Sequence, residues 1–516
     1  MALYLAKRVL KGIVSVSLVV VIVMTLIYTC LDRNLIFAAD PVFSRQKANA
    51  QQVYKLQQWE KYGYVDYVSY GEYLAENLSG ESYTQAVKLG DTASKDSPKT
   101  KEYVAKFRSE YEKQGYSVVR LDAKRKGQTY QEGGEPRLYA YRDVPLLRRL
   151  GAFFAGLVRI DNIHTVKNVE NPGLTFTLHD PVYGGEFAPA IMGNGTFHKY
   201  LLYFDSKFPF IHQNFLTLNL GRSYSVNQGV DVWQTMTEEQ GRRKMAMVTY
   251  PTGLREMSAD DLHSATYAEG SLAAGDAVVK AHFVDDYTNL TTRKQGFSKL
   301  GYSFVIGIAA VILAYSLAVP LGIAMARRKD RLADHLGTGY IVFIMAVPSL
   351  GYIFLFKALG GYLGLPTTFD MENPAWPMYI LPVISLALPL LANLMKWLRR
   401  YLIDHMGAEF AKFARASGLP EGDIFRKHIL KNAAIPLIHG IPASILGALV
   451  GAIITERVYV VPGAGNLLTR AINSYDNGVI VGVTLFYAVL SVLSVILGDV
   501  LISTVDPRIS LHRKEA

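Results

Sequence analysis

Six apolar runs dominate this chain, at residues 12–31, 300–325, 337–359, 378–397, 433–455 and 478–504. Each is about as long as the twenty residues a helix needs to cross a bilayer. In hydrocarbon an open backbone has no partner, so runs of this length are read as helices, which satisfy their own hydrogen bonds. Basic clusters then set how the runs alternate. Lys7, Arg8 and Lys11 open the first run, and Arg327, Arg328, Lys329 and Arg331 follow the second. Lys396, Arg399 and Arg400 close the fourth, and the tail at 507–516 is basic. With both termini inside, every such cluster falls on the inner side, as the positive-inside rule requires. A cleaved signal peptide is a poorer account of the first run, which is long for one and lacks a clean small-x-small site.

Membrane flanks also account for the formal charge of +10, which in a soluble protein would point to nucleic acid. No nucleic-acid partner is expected, and membrane lipid is. The long stretch at 32–298 holds no run able to span a bilayer and reads as a separate domain outside the membrane, between the first and second spans. Helical patterns at 46–64, 103–114 and 146–160 alternate there with strand-like pieces at 116–121, 174–178 and 199–204, which predicts a mixed α+β fold. Residues 91–101 read as an exposed polar loop. Cys30 is the single cysteine, so no disulfide forms within the chain. The expected organisation is therefore a first span at 1–31, the outer domain at 32–298, a five-span core at 299–506, and a cytoplasmic tail at 507–516.

Between the fourth and fifth spans lies a polar, basic stretch at 402–432. Leu402, Met406, Phe410 and Phe413 recur at helical spacing and predict one face of a first helix. Gly418 supplies the freedom to end it. Pro420 suits the opening turn of a second helix, with Glu421 and Asp423 near its positive end. Ile424, Phe425, His428 and Ile429 form that helix's predicted apolar stripe. Two amphipathic helices meeting at a glycine on the inner side have the form of a docking knob for another protein.

The same residues carry a resemblance. Ala414-Arg415-Ala416-Ser417-Gly418-Leu419, followed by Arg426-Lys427-His428-Ile429-Leu430-Lys431-Asn432 and Pro436, resembles the coupling loop of binding-protein-dependent ABC importers, closest to permease subunits for dipeptides and oligopeptides. Lys412 and Phe413 stand where the general motif has Glu and Ala. Tyr379 to Leu388, with its Leu-Pro-x-x-Ser-Leu-Ala-Leu order, is similar to the family's fourth span. Glu456-Arg457-Val458-Tyr459 with Pro462-Gly463-Ala464-Gly465 is similar to its turn after the fifth, and Asp506-Pro507-Arg508 to its ending. Phe215 to Ser225 and Val230 to Met236 look like the family's short Gly-x-Ser segment before the second span. The outer domain resembles the enlarged loop of longer Gram-positive oligopeptide permeases.

The resemblance implies a bacterial plasma-membrane protein with the type I ABC importer permease fold, six transmembrane helices and the outer domain. Its implied partners are a second homologous permease, two cytoplasmic ATPase subunits, an extracytoplasmic peptide-binding lipoprotein and the peptide itself. The ATPase-coupling residues are then Glu409, Phe410, Phe413, Ala414, Arg415, Ala416, Gly418, Leu419, Pro420, Phe425 and His428. Small residues give the fifth span a face that serves packing or pore lining, which makes Ser444, Gly447 and Gly451 candidate pathway residues. Glu456 at its outer end, beside Arg457, reads as a gate charge, a contact for the donor protein or a helix-end ion pair. Asn393 and Lys396 in the fourth span read as polar groups satisfied within the bundle, and Lys357 as a snorkelling cation.

No phosphate-cradling Gly-x-x-x-x-Gly-Lys-Ser/Thr, His-Glu-x-x-His, paired-Cys spacing or Gly-x-Ser-x-Gly elbow occurs. The chain therefore carries no expected cofactor or catalytic residue, and ATP and magnesium would belong to the partner ATPases. His179, His198 and His212 read as scattered histidines rather than a metal site. The rival reading is a membrane-anchored receptor whose outer domain binds a ligand or the cell wall.

Overall fold

The computed structural model describes residues 2–38, 40–46, 48–78, 80, 98–120, 138–160, 173–194, 200–204, 210–250, 252–267 and 288–505. His198, most of the loop expected at 91–101, the closing Asp506-Pro507-Arg508 and the tail lie outside the described residues.

Helix α1 (Ala2–Cys30) is the first apolar run. The inserted domain follows, with α2 (Ala48–Lys61) and a three-stranded antiparallel sheet in which Leu138–Asp143 lies between Val65–Ser69 and Ser117–Arg120. The helix expected at 146–160 is shorter: α3 (Leu146–Gly156) ends, and Val158–Ile160 pairs as a strand with Leu216–Leu218. Gly173–His179, Phe187–Asn194, Tyr200–Phe204 and Ile211–Gln213 build a four-stranded antiparallel sheet in sequential order. Two hairpins, Ala246–Thr249 with Arg255–Ser258 and Asp260–Tyr267 with Thr288–Thr292, complete the strands.

This domain is welded to the helices rather than tethered. Tyr64 stacks edge-on against Tyr28 of α1 and also meets Tyr224. The Tyr64 hydroxyl accepts a hydrogen bond from the Asn477 side-chain amide at 2.9 Å. Many of the domain's tyrosines are core residues: Tyr139 and Tyr200 are fully buried. Their apolar rings fill the interior and their hydroxyls need partners there.

The membrane core begins with α4 (Lys299–Arg327), capped by Ser298 on the N–H of Gly301. The third apolar run departs from the expected straight span. It splits into α5 (Leu332–Ala346) and α6 (Ser349–Tyr362), bent by 110°. Val347 precedes Pro348, and the proline ring forces it out of the helical region to an extended conformation. The fourth run is α7 (Ile380–Met406). Beyond the short helix α8 (Glu409–Ala416), the fifth run breaks at Gly440 into α9 (Lys431–His439) and α10 (Ile441–Tyr459). Helix α11 (Ala464–Asn473) and the long α12 (Asn477–Val505) close the described chain. Among the described residues five helices are long and apolar enough to cross a membrane, and the bent pair, counted as one broken span, makes a sixth.

Among the described residues, two apolar cores are built mainly from the membrane helices. One joins α4, α7 and α10 to the residues after α8. The other joins α1 and α12 to Leu220, Val232 and Met236 of the inserted domain and to α11. Polar pairs tie the helices at the end that carries the basic clusters. Asp499 of α12 accepts from Tyr4 and Arg8 of α1 at 3.0 and 2.9 Å. Asp334 of α5 accepts a two-pronged grip from Arg399 of α7 at 2.5 and 2.7 Å, the geometry that makes a guanidinium–carboxylate pair directional. Lys357 does not snorkel freely; its ammonium donates to the Val458 carbonyl at 2.7 Å. Asn393 and Lys396 are not satisfied inside the bundle either, but lie with Arg400 on an exposed stripe of α7.

Candidate functional site

The hairpin between α7 and α9 is not the two-helix unit its spacing implies. Leu402 and Met406 belong to the end of α7, which stops at Gly407, and Phe410 and Phe413 belong to the separate α8. The break turns the face. Ala411 and Ala414 of α8 point inward, while Phe410 and Phe413 are 38% and 74% exposed. Gly418 ends the helix in the left-handed region at φ +77. Its N–H donates to the Arg415 carbonyl at 3.0 Å and that of Leu419 to the Ala414 carbonyl at 3.2 Å, closing the last turn as left-handed caps do.

After Pro420 come one turn of helix, Glu421–Asp423, and a π-helical stretch, Ile424–Leu430. The wider turn explains where the predicted stripe goes. In a π-helix residues five apart are neighbours, so Ile424 and Ile429 are fully buried beside Phe425, and His428 rotates out to the surface. Phe425 is a core residue, with the Arg327 guanidinium 4.7 Å above its ring. It links the end of α4 to the hairpin from the core side rather than from the exposed face.

Arg415 is the stitch that spacing did not reveal. Its guanidinium donates to both carboxylate oxygens of Glu421 at 2.8–3.2 Å and to the Met406 carbonyl at 3.2 Å. It thus spans the Gly418 turn and binds it to the end of α7. The Glu421 carboxyl is held below its usual range by these bonds. Around this frame Glu409, Phe410, Phe413, Ala414, Ser417, Leu419 and His428 line one surface groove. Ala416 and Pro420 are exposed at the turn beside it.

At the other end of the core, Glu456 is fully buried. It makes no ion pair with Arg457. Its carboxylate accepts from the Ser303 hydroxyl at 2.5 Å and from the Asn466 N–H at 3.0 Å, and Ser303 in turn accepts from the Ala464 N–H at 2.9 Å. The acid therefore sits on the positive end of α11 and clasps α4, α10 and α11 together. This is why glycines follow Pro462: a Cβ at 463 would overlap the Glu456 carboxyl. Ser444 is not on a bare face; its hydroxyl bonds Tyr315 at 3.1 Å. Gly447 and Gly451 do lie on an exposed flank of α10, with Ala443, Val450 and Ile454.

The Gly-x-Ser segment forms a third junction, also missed by motif reading. Asp476, just before α12, accepts from the Ser223 hydroxyl and from the N–H groups of Tyr224, Ser225, Val226 and Val479 at 2.6–3.1 Å. Among the described residues no group of three or more metal-ligating side chains occurs.

A permease of Streptococcus pneumoniae, "Oligopeptide transport system permease protein AmiC", is 37% identical over 518 residues, spanning 99% of both chains. The family described as "Binding-protein-dependent transport system inner membrane component" matches residues 318–511. This chain belongs to that family. "Dipeptide transport system permease protein DppB" of Lactococcus lactis subsp. cremoris is 30% identical over 230 residues, 44% of this chain and 74% of its own. The inward-facing MetNI methionine ABC transporter aligns over 40% of this chain and 93% of its own, with 13% identity and a TM-score of 0.34. Family membership makes the chain a multi-pass transport subunit with the type I importer permease fold, enlarged by the strand-rich inserted domain.

Proposed function

We propose that this chain is one of two permeases forming a peptide pathway in a bacterial plasma membrane. The second is a homologous subunit, two ATPases with their ATP and magnesium sit at the hairpin end, and a peptide-binding lipoprotein delivers substrate at the inserted-domain end. Peptide as the substrate class follows from the names of the relatives. Both termini inside and the inserted domain outside follow from the basic clusters.

The observation that carries the coupling role is the bare apolar groove of the hairpin. Phe413, Phe410 and Leu419 (44% exposed) project from a turn locked by Arg415 and cored by Ile424, Phe425 and Ile429. A rigid knob of this kind, seated in an ATPase, is carried bodily when ATP closes the ATPase pair. Its burial against α4 and α7 then passes the movement to the spans. The flank of Gly447 and Gly451 faces the second permease or the pathway.

Phe413→Asp tests the reading. It replaces an exposed ring, so the fold tolerates it. The expected result is loss of ATPase co-purification and of labelled-peptide uptake with normal membrane insertion; retention of both sinks the coupling role.

A further inference from the structure

We propose that the cleft where the inserted domain meets α1 and α12 binds the phosphate of an anionic membrane lipid, whose chains lie along α1. The cavity measures about 700 Å³, within the usual range for small-molecule sites. Its floor belongs to the membrane helices: Met24 and Tyr28 of α1, and Val481 with the buried amide of Asn477 from α12. Its rim is cationic. Among the described residues Lys61, Arg142, Arg148, Arg149 and Arg222 face only two carboxylates, Glu60 and Asp66.

The pairing within the rim sharpens this. Asp66 already holds Arg142 and Arg148 at 2.9 and 2.6 Å. Among the described residues Lys61, Arg149 and Arg222 have no carboxylate within 4.0 Å, and Arg149 keeps a buried Nε without a hydrogen-bond partner. Arg149 is nonetheless fixed in place. Its Nη2 donates to the Tyr64 carbonyl at 2.7 Å, and its guanidinium lies 4.5 and 4.9 Å from the rings of Tyr64 and Tyr28. Three cations without counter-ions around a partly desolvated slot favour a phosphate, with its several acceptor oxygens.

The membrane neighbours favour a lipid over a free anion or a peptide carboxylate. Leu18, Ile22 and Leu26 are exposed on the face of α1 turned away from Met24 and Tyr28, an apolar surface for acyl chains along the helix. Helix α3, packed on α1, carries Arg148 and Arg149 while exposing 81% of Leu147. The other apolar residues of α3, Leu150, Phe153 and Phe154, pack on the core of α1 and α12, which anchors those arginines beside the membrane helices.

Native mass spectrometry of the full chain in detergent tests the site, with titration by phosphatidylglycerol or phosphatidylcholine. A preference of about tenfold for phosphatidylglycerol is expected, lost in K61Q/R222Q, which alters only exposed side chains, and in R149Q. Equal retention of the two lipids, or an unchanged preference in K61Q/R222Q, overturns the proposal. So does displacement of the lipid by glycerol phosphate, which would make it a free-phosphate site, or by a tripeptide. The leaflet rests on the orientation proposed above and has its own readout. Lys61→Cys in a Cys30→Ser background should react with an impermeant maleimide on intact cells. No reaction refutes that orientation and the outer-leaflet assignment, while the lipid titration still decides the cleft.

Discussion

Asp476→Asn isolates the junction between the inserted domain and the last helix. The two side chains have the same shape, so no cavity opens. What changes is acceptor capacity. Oδ2 takes the Ser223 hydroxyl and the N–H groups of Ser225 and Val226, while Oδ1 takes those of Tyr224 and Val479. An amide keeps one acceptor and turns a second donor toward the other set, in a site with no solvent access. Hydrogen bonds to a charged group are worth about 1.5–3 kcal/mol each, and a buried donor left unpaired costs about 1–3 kcal/mol. Ser223 can rotate its hydroxyl away, so two backbone donors are stranded and the expected loss is about 3–5 kcal/mol. Asp370→Asn is the control, because Asp370 also accepts two backbone N–H groups but is exposed. Substitutions at such surface positions stay within about 0.5 kcal/mol. Thermal inactivation in detergent, followed by size-exclusion chromatography, ranks the two. If Asp476→Asn survives heating as well as Asp370→Asn, the clasp does not hold the domain.

Four further outcomes follow from the structure. Gly418→Ala meets no atom within 4 Å and strains only the left-handed backbone, so it should cost about 1 kcal/mol and leave uptake measurable. Gly418→Pro cannot adopt φ +77 and loses the N–H bonded to Arg415, so uptake should vanish with insertion intact, as it should for Ala416→Glu at the exposed turn; wild-type uptake in either would refute the hairpin's role. Gly463→Ala should lower thermal stability more than Gly447→Ala, whose added methyl meets open space; equal behaviour would discount the Glu456 clasp. Burial, with Glu72 and Asp66 nearby, pushes the Glu60 carboxyl up to about 7. The folded protein then holds a proton that the unfolded chain has released, so stability contributed at pH 4.5 declines as pH rises through 7. Glu60→Gln should flatten that slope between pH 5 and 8 in melting curves, and an unchanged slope would show that Glu60 does not cause it.

Span number and position were legible because hydropathy acts along the chain, one helix at a time. The same holds for the end of α8 at Gly418 and for the strands near 174–178 and 199–204, where local preference and burial agree. The bend at Pro348 was also written in the sequence, in the restriction proline places on Val347, though length and hydropathy alone hid it. His428 and Phe425 were harder. Their faces depend on whether the backbone turns every 3.6 residues or as a π-helix, and the packing of Ile424 and Ile429 into α4 and α7 decides that.

By itself the sequence determined a six-pass bundle, its basic side and the hairpin as the likeness-bearing element, since these depend on composition and spacing. Only the tertiary structure decided the work of Glu456, Asp476 and Arg415. The Glu456 and Asp476 carboxylates are anchored by Ser303 and by the segment Ser223–Val226, far off in the chain, and a buried charge takes its role from whatever donors and acceptors folding brings around it. Arg415 works at the surface, where the turn brings Met406 and Glu421 together.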